Sequence, residues 1–172
     1  MHHQFINGAE MMKGKSLFLC LFGGLLGLVG CTVKRMPEGS LVRVELSHSG
    51  TMAGYEWYGC AEPDSTGTFV LRAMKENYGP LFQKQLSPEA MTEFRQIIED
   101  EEMYKYKESY RPKLEVLDGW GWSFRAKFSD GSSISSHGSN ASPKGNGLAR
   151  IRGLMEELIE DGIQIEFPEE DE

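Results

Sequence analysis

Residues 40–167 predict an α+β fold: a single domain with a mainly antiparallel sheet and two packed helices. Three observations carry this. Short stretches of period-two alternation recur between turn-rich segments, two segments switch to helical spacing, and neither an internal repeat nor a long linker divides the chain.

The first strand is LVRVELS, Leu41–Ser47, with Val42, Val44 and Leu46 on one face and Arg43, Glu45 and Ser47 on the other. GYEWYGC (Gly54–Cys60) and GTFVLRAM (Gly67–Met74) read as two more strands, joined by the turn residues of AEPDSTG, and PLFQKQL as a short fourth. Tyr55, Trp57 and Tyr58 pose a choice between core and binding platform, because three aromatics so close cannot all face inward.

Ser87-Pro88 opens a helix, with serine at the N-cap and proline at the first helical position. Met91, Phe94, Ile97 and Ile98 give it one apolar face. The acidic run Glu99–Glu102 places negative charge where the helix dipole disfavours it, so the helix should end there. MYKYKESYRP, Met103–Pro112, is aromatic but irregular, and Pro112 forbids a helix through it.

In WGWSFRAKFS, Trp120, Trp122, Phe124, Ala126 and Phe128 share one face and Ser123, Arg125 and Lys127 the other. The turn that follows has two registers. A two-residue Asp130-Gly131 turn sends Ile134 to the polar face and His137 to the core. A three-residue loop, Ser129-Asp130-Gly131, puts glycine at the left-handed position and pairs Phe128 with Ser132 and Ala126 with Ile134. A one-residue slip moves every side chain to the wrong face, so burial selects the three-residue loop. A second helix is expected over Asn146–Asp161, with Leu148, Ile151, Leu154, Met155, Leu158 and Ile159 as its stripe and Gly162 as its left-handed stop. IQIEF reads as a last strand, and residues 168–172 as an acidic tail.

SSISSHGSN, Ser132–Asn140, invites an enzymatic reading, with His137 serving a serine. A nucleophilic serine needs a base, and the base needs an orienting partner. In the chosen register Ser133, Ser135 and His137 lie beside Arg125, Lys127 and Ser123 on the outer face, with no carboxylate placed behind the histidine and no Gly-x-Ser-x-Gly elbow. GSN after His137 reads as turn residues. The bland reading, a solvated strand face, outweighs the active site. A milder functional one remains: Arg125, Lys127, Ser133, Ser135 and His137 form a basic stripe suited to an anionic ligand or an acidic partner. Backbone N–H groups between Gly138 and Gly147, ahead of the second helix, offer a weaker anion site. No histidine, cysteine or acid spacing marks a metal site, and nothing points to a cofactor.

The N-terminal segment carries a different message. Residues 1–10 fit no signal, whereas a start at Met11 or Met12 gives Lys13 and Lys15 followed by an apolar run from Ser16 to Gly30. That is the layout of a secretory signal, too short and glycine-rich for a permanent span. Its end, Leu28-Val29-Gly30-Cys31, resembles the lipobox of bacterial lipoproteins. The resemblance implies cleavage between Gly30 and Cys31 by a type II signal peptidase, diacylation of Cys31, and a membrane anchor without a spanning helix. Residues 1–30 are then the signal peptide and 31–39 a lipidated tether. The protein is expected in the cell envelope, facing away from the cytoplasm, and on the outer membrane of a two-membrane cell, because Thr32 stands where an inner-membrane retention aspartate would. The stretch VLDGWGWSFRAKFSDGSSISSHGSN is also similar to small bacterial secreted or lipoprotein domains with no assigned activity. It departs from them at ASPKGNG, where an aromatic-proline step is expected.

The segment from Cys31 onward keeps 16 basic and 25 acidic side chains, a net charge of −9, which repels phosphate backbones and argues against nucleic acid. With Cys20 in the signal and Cys31 acylated, Cys60 has no disulfide partner and reads as a small core residue. The expectation is a membrane-anchored extracytoplasmic lipoprotein with a non-catalytic binding or accessory domain, its partner an envelope protein or small ligand. The alternative is a lipid-anchored hydrolase using His137 with a nearby serine or acid.

Overall fold

The computed structural model of the chain describes residues 34–50, 55–114 and 119–166. The leader, Gly30, Cys31 and the acidic tail lie outside them. Strands β1 (Leu41–Ser49), β2 (Trp57–Pro63), β3 (Phe69–Met74) and β4 (Leu81–Gln85) form an antiparallel meander. Helix α1 (Pro88–Asp100), a 3-10 turn at Met103–Lys105 and a two-residue strand β5 (Ser109–Tyr110) follow. β6 (Gly121–Phe128) returns to pair with β1, β7 (Ser133–Ser139) folds back on it, and after α2 (Gly147–Leu158) β8 (Ile163–Ile165) pairs with β4. The sheet order is β5-β7-β6-β1-β2-β3-β4-β8, and β5–β7 is its one parallel pair among the described residues. This is the α+β fold expected, sheet-dominated and carrying two helices.

The helices and one sheet face share a continuous apolar cluster. Val44, Leu46, Trp57, Leu71 and Phe124 are fully buried in it with Phe94 and Ile98 of α1, and with Ile151 and Met155 of α2. Each large aliphatic or aromatic side chain so buried contributes about 1.5–3 kcal/mol. Gly59 lets α2 come close, because a Cβ there would sit 2.5 Å from the Met155 sulfur and 2.6 Å from the Trp57 ring. Ser87 holds the N-cap position, but its hydroxyl makes no capping bond, so Pro88 carries the helix start. α1 ends at Asp100 as the acidic run predicts, and Glu102 turns left-handed at φ +49°.

The β6–β7 hairpin adopts the three-residue register. Ala126 faces Ile134, the Phe128 N–H donates to the Ser132 carbonyl, and Gly131 has φ +83°. Trp122, Phe124, Ala126 and Phe128 point to the core.

Elsewhere the structure departs from the sequence pattern. The β1–β6 register shifts between Leu41 and Arg43, so Leu41 is buried while Val42 is only half-buried. Trp120 is 42% exposed, because β6 begins one residue after it. β7 runs on through Ser139, with Gly138 packed against Trp122, and the turn comes at Asn140, φ +52°. α2 stops at Leu158. Gly162 is not its left-handed stop: its N–H donates to the Ile159 carbonyl at 2.8 Å, and a Cβ would lie 2.9 Å from that same oxygen. The expected tether is held from Lys34 on. The Lys34 amine donates to the Tyr106 carbonyl, Arg95 to the Pro37 carbonyl, and the Gly39 N–H to the Asp130 carboxylate.

A Cβ at Gly131 would meet nothing within 4 Å, so only backbone strain opposes a side chain there. Gly131→Val should cost about 1–2 kcal/mol in denaturant unfolding and Gly131→Asn clearly less, because asparagine tolerates the left-handed region. Equal losses would contradict the hairpin turn described.

Candidate functional site

The sheet face away from the helices carries polar residues in cross-strand rows. One runs Ser135, Arg125, Glu45, Cys60, Arg72, Gln83 across six strands, each paired with the next in register. Arg43 bonds both Glu45 and Glu62 at 2.6 Å. Glu62 reaches Arg72 at 3.2 Å, and the Arg72 Nε donates to Gln83 at 3.0 Å. Arg125 approaches Glu45 at 3.9 Å. These partly exposed ion pairs are worth roughly 0.2–1 kcal/mol each, and their joint effect is to lock the long side chains over the sheet. Cys60 lies beneath them at 1% exposure. Burial pushes its thiol up to about 11 and the Glu62 carboxylate adds to that, so it is protonated at neutral pH and a poor nucleophile.

The next row, His137, Ser123, Ser47, Tyr58, leads into a groove of about 730 Å³ at the Gly121 end of the sheet. The sheet supplies Ser47, Ser49, Ser123, His137 and Ser139, and Tyr55 adds a phenol. Arg111–Leu114, the exposed segment after β5, contributes Arg111 and Lys113 to its wall. The described lining therefore joins hydroxyls and three basic side chains, with no carboxylate among them. Among the described residues the His137 ring makes no hydrogen bond to a carboxylate or a hydroxyl.

The basic stripe expected from the sequence is thus divided. Arg125, Lys127, Ser133, Ser135 and His137 are all exposed on one face, as the register requires. Arg125 joins the ion-pair ladder, Ser133 and Ser135 line a separate hollow with Lys34 and Arg35, and His137 alone of the five faces the groove. The aromatic platform is divided too. Trp57 is core, under the Arg152 guanidinium at 4.9 Å, while Tyr55 and Tyr58 pair on the open face with ring centroids 5.1 Å apart.

The weak anion site before α2 is filled from within. The Asn146 N–H donates to the Glu101 carboxylate at 3.1 Å, and Arg150 bonds the same carboxylate at 3.0 Å and approaches Asp100 at 3.7 Å. This also offsets the charge of the acidic run at the end of α1. His48, on the helix side of the sheet, stacks edge-on against Trp57, and burial followed by nearby Arg152 depresses its pKa.

Arg111 and Lys113 were invisible as site residues, because only the path of the chain after β5 brings them to β6 and β7. Ser136 was read only as part of a polar run. It is fully buried, and its hydroxyl donates to the Lys107 carbonyl at 2.6 Å, fastening the segment that leads to β5. Among the described residues no cluster of three metal-ligating side chains occurs, and no helix is long and apolar enough to cross a membrane. No family model matches this chain, and no curated protein matches it.

The Arg150 and Asn146 bonds hold the Glu101 carboxyl below the usual carboxylate range. Its contribution to stability is therefore present above that range and is lost as pH falls through the folded-state value. Glu101→Gln should lower the melting temperature at pH 7, and the gap to the parent should narrow progressively as pH falls below the usual carboxylate range. A gap that does not change with pH would assign the loss to something other than the charge.

Proposed function

We propose that the chain is a membrane-anchored lipoprotein held outside the cytoplasm by acylated Cys31, and that its domain is a non-catalytic binding module acting through the groove beside His137. The leader and the Leu28–Cys31 motif support the anchor. The observation that carries the binding role is the groove itself, a hydroxyl-rich hollow with Arg111, Lys113 and His137 in its described wall, on a chain that is acidic overall. Such a lining suits a polar ligand bearing negative charge, or an acidic loop of an envelope protein. The described lining does not assemble a nucleophile, base and orienting acid, the arrangement a serine hydrolase requires.

Cys31→Ser should abolish incorporation of labelled palmitate and leave an unprocessed precursor in cells; label that persists would remove the anchor. For the groove, a photo-crosslinking residue at Lys113 of the membrane-bound protein should yield discrete adducts, and one at Glu93, exposed on α1, should not. Identical patterns at the two positions would remove the groove from the reading. A turnover activity that disappears in a folded His137→Ala variant would favour the hydrolase.

A further inference from the structure

Two successive cross-strand rows floor the groove. One runs His137, Ser123, Ser47 and the other Ser139, Gly121, Ser49, each residue paired in register with the next across β7, β6 and β1. Neighbouring strands lie about 4.8 Å apart, and alternate residues of one strand about 6.8 Å. The floor is therefore a flat array of hydroxyls on the scale of a single sugar ring. Gly121 keeps it flat, because a Cβ there would sit 2.7 Å from the Ser49 hydroxyl oxygen.

The hydroxyls of this floor are uncommitted. Nearby polar side chains are spent within the fold: Ser136 donates to the Lys107 carbonyl, and Asn140 accepts the Trp120 N–H. Ser47, Ser49, Ser123 and Ser139 make no side-chain hydrogen bond among the described residues, although Ser47 is only 9% exposed. A hydroxyl so nearly buried costs free energy unless something in the groove bonds it. Each can donate and accept, which matches the hydroxyls of a polyol. The two walls differ. Tyr55, 45% exposed, stands by β2 with the Tyr58 ring behind it at 5.1 Å between centroids. Arg111 and Lys113 follow β5 at the other side, beyond β7, and make no ion pair among the described residues.

Resting on the proposed binding role of the groove, we infer that its ligand is an acidic sugar, a pyranose ring carrying a carboxylate or phosphate. The ring hydroxyls bond the serine rows, a C–H face of the ring packs on Tyr55, and the acid group lies against Arg111 and Lys113. A bare anion or an acidic side chain would use the basic wall and leave the serine floor and the phenol ring unused. A neutral sugar would leave both cations without a partner.

The test titrates the full lipidated protein in detergent micelles, reading binding by saturation-transfer NMR. The probes are glucuronate, galacturonate and a hexose phosphate, with glucose, acetate, inorganic phosphate and triglutamate for comparison. At least one acidic sugar should bind about tenfold tighter than any comparison compound, the order a charge-assisted bond supplies. Arg111→Gln together with Lys113→Gln should reduce that sugar to the level of glucose. Tyr55→Ala or Ser123→Val should weaken acidic sugar and glucose alike and leave acetate and phosphate unchanged. Acetate, phosphate or triglutamate binding as tightly as the sugars would overturn the saccharide and keep the groove as an anion site. No binding of any probe, with the Lys113 crosslinks retained, would overturn the saccharide alone. Loss of those crosslinks as well would remove the groove and the saccharide with it.

Discussion

The pairing of β6 with both its neighbours is the constraint on which the rest of this molecule depends. β6 lies between β1 and β7, and its alternate residues Trp122, Phe124, Ala126 and Phe128 supply the apolar cluster while Ser123, Arg125 and Lys127 supply the open face. A slip of one residue against either partner would bury charge and expose aromatic rings, at a cost far above what ordinary turns differ by. Gly131, free to take φ +83°, makes the three-residue loop accessible, and burial of the alternate face makes it decisive. From that register follow the row of His137, Ser123 and Ser47, the row of Ser135, Arg125 and Glu45, and hence the position of the groove relative to the ion-pair ladder.

The parts of the fold visible in the sequence are those governed by local periodicity. The β6 face, the stripe of α1 and the stop at Asp100 each depend on neighbours within a turn or a strand. The segment after α1 resisted reading for the opposite reason. Met103 and Tyr106 are core residues because they pack at Gly147, where α2 begins, and Ser109–Tyr110 is a strand because it pairs with β7, about thirty residues later in the chain. Two residues carry no periodicity, and a parallel pairing with a distant strand leaves no local trace. The groove shares that limitation. His137, Ser123 and Ser47 were placeable from strand alternation, whereas Arg111, Lys113 and Tyr55 come from connecting segments whose path only tertiary structure sets. Gly162 shows a subtler failure, in which a correct residue type had a different cause: close contact with the Ile159 carbonyl, not a positive φ.

Electrostatics sorts the open face into two regions with different capacities. Where acids and arginines alternate across β6, β1, β2 and β3, each charge has an opposite neighbour, and the row is satisfied by itself. A ligand binding there would have to displace bonds already made. One row further toward Gly121, Ser47, Ser123 and His137 line the hollow without side-chain hydrogen bonds among the described residues, and the short serines leave it open. Replacement of long paired side chains by short hydroxyls is therefore what distinguishes a structural surface from a receptive one on the same sheet.

Cys60 shows how the ladder and the proposed location bear on one another. A lone thiol outside the cytoplasm is exposed to oxidants and to disulfide exchange, and exchange proceeds through the thiolate. Here the sulfur lies under Arg43, Glu45 and Glu62, nearly without solvent contact, and burial with the Glu62 charge raises its pKa to about 11. At neutral pH the thiolate is then rare and inaccessible at once, so intermolecular pairing would require local opening of the sheet. The side chains that make this part of the face unreceptive to ligands therefore also cover the thiol, and burial first of all keeps its thiolate fraction low at neutral pH.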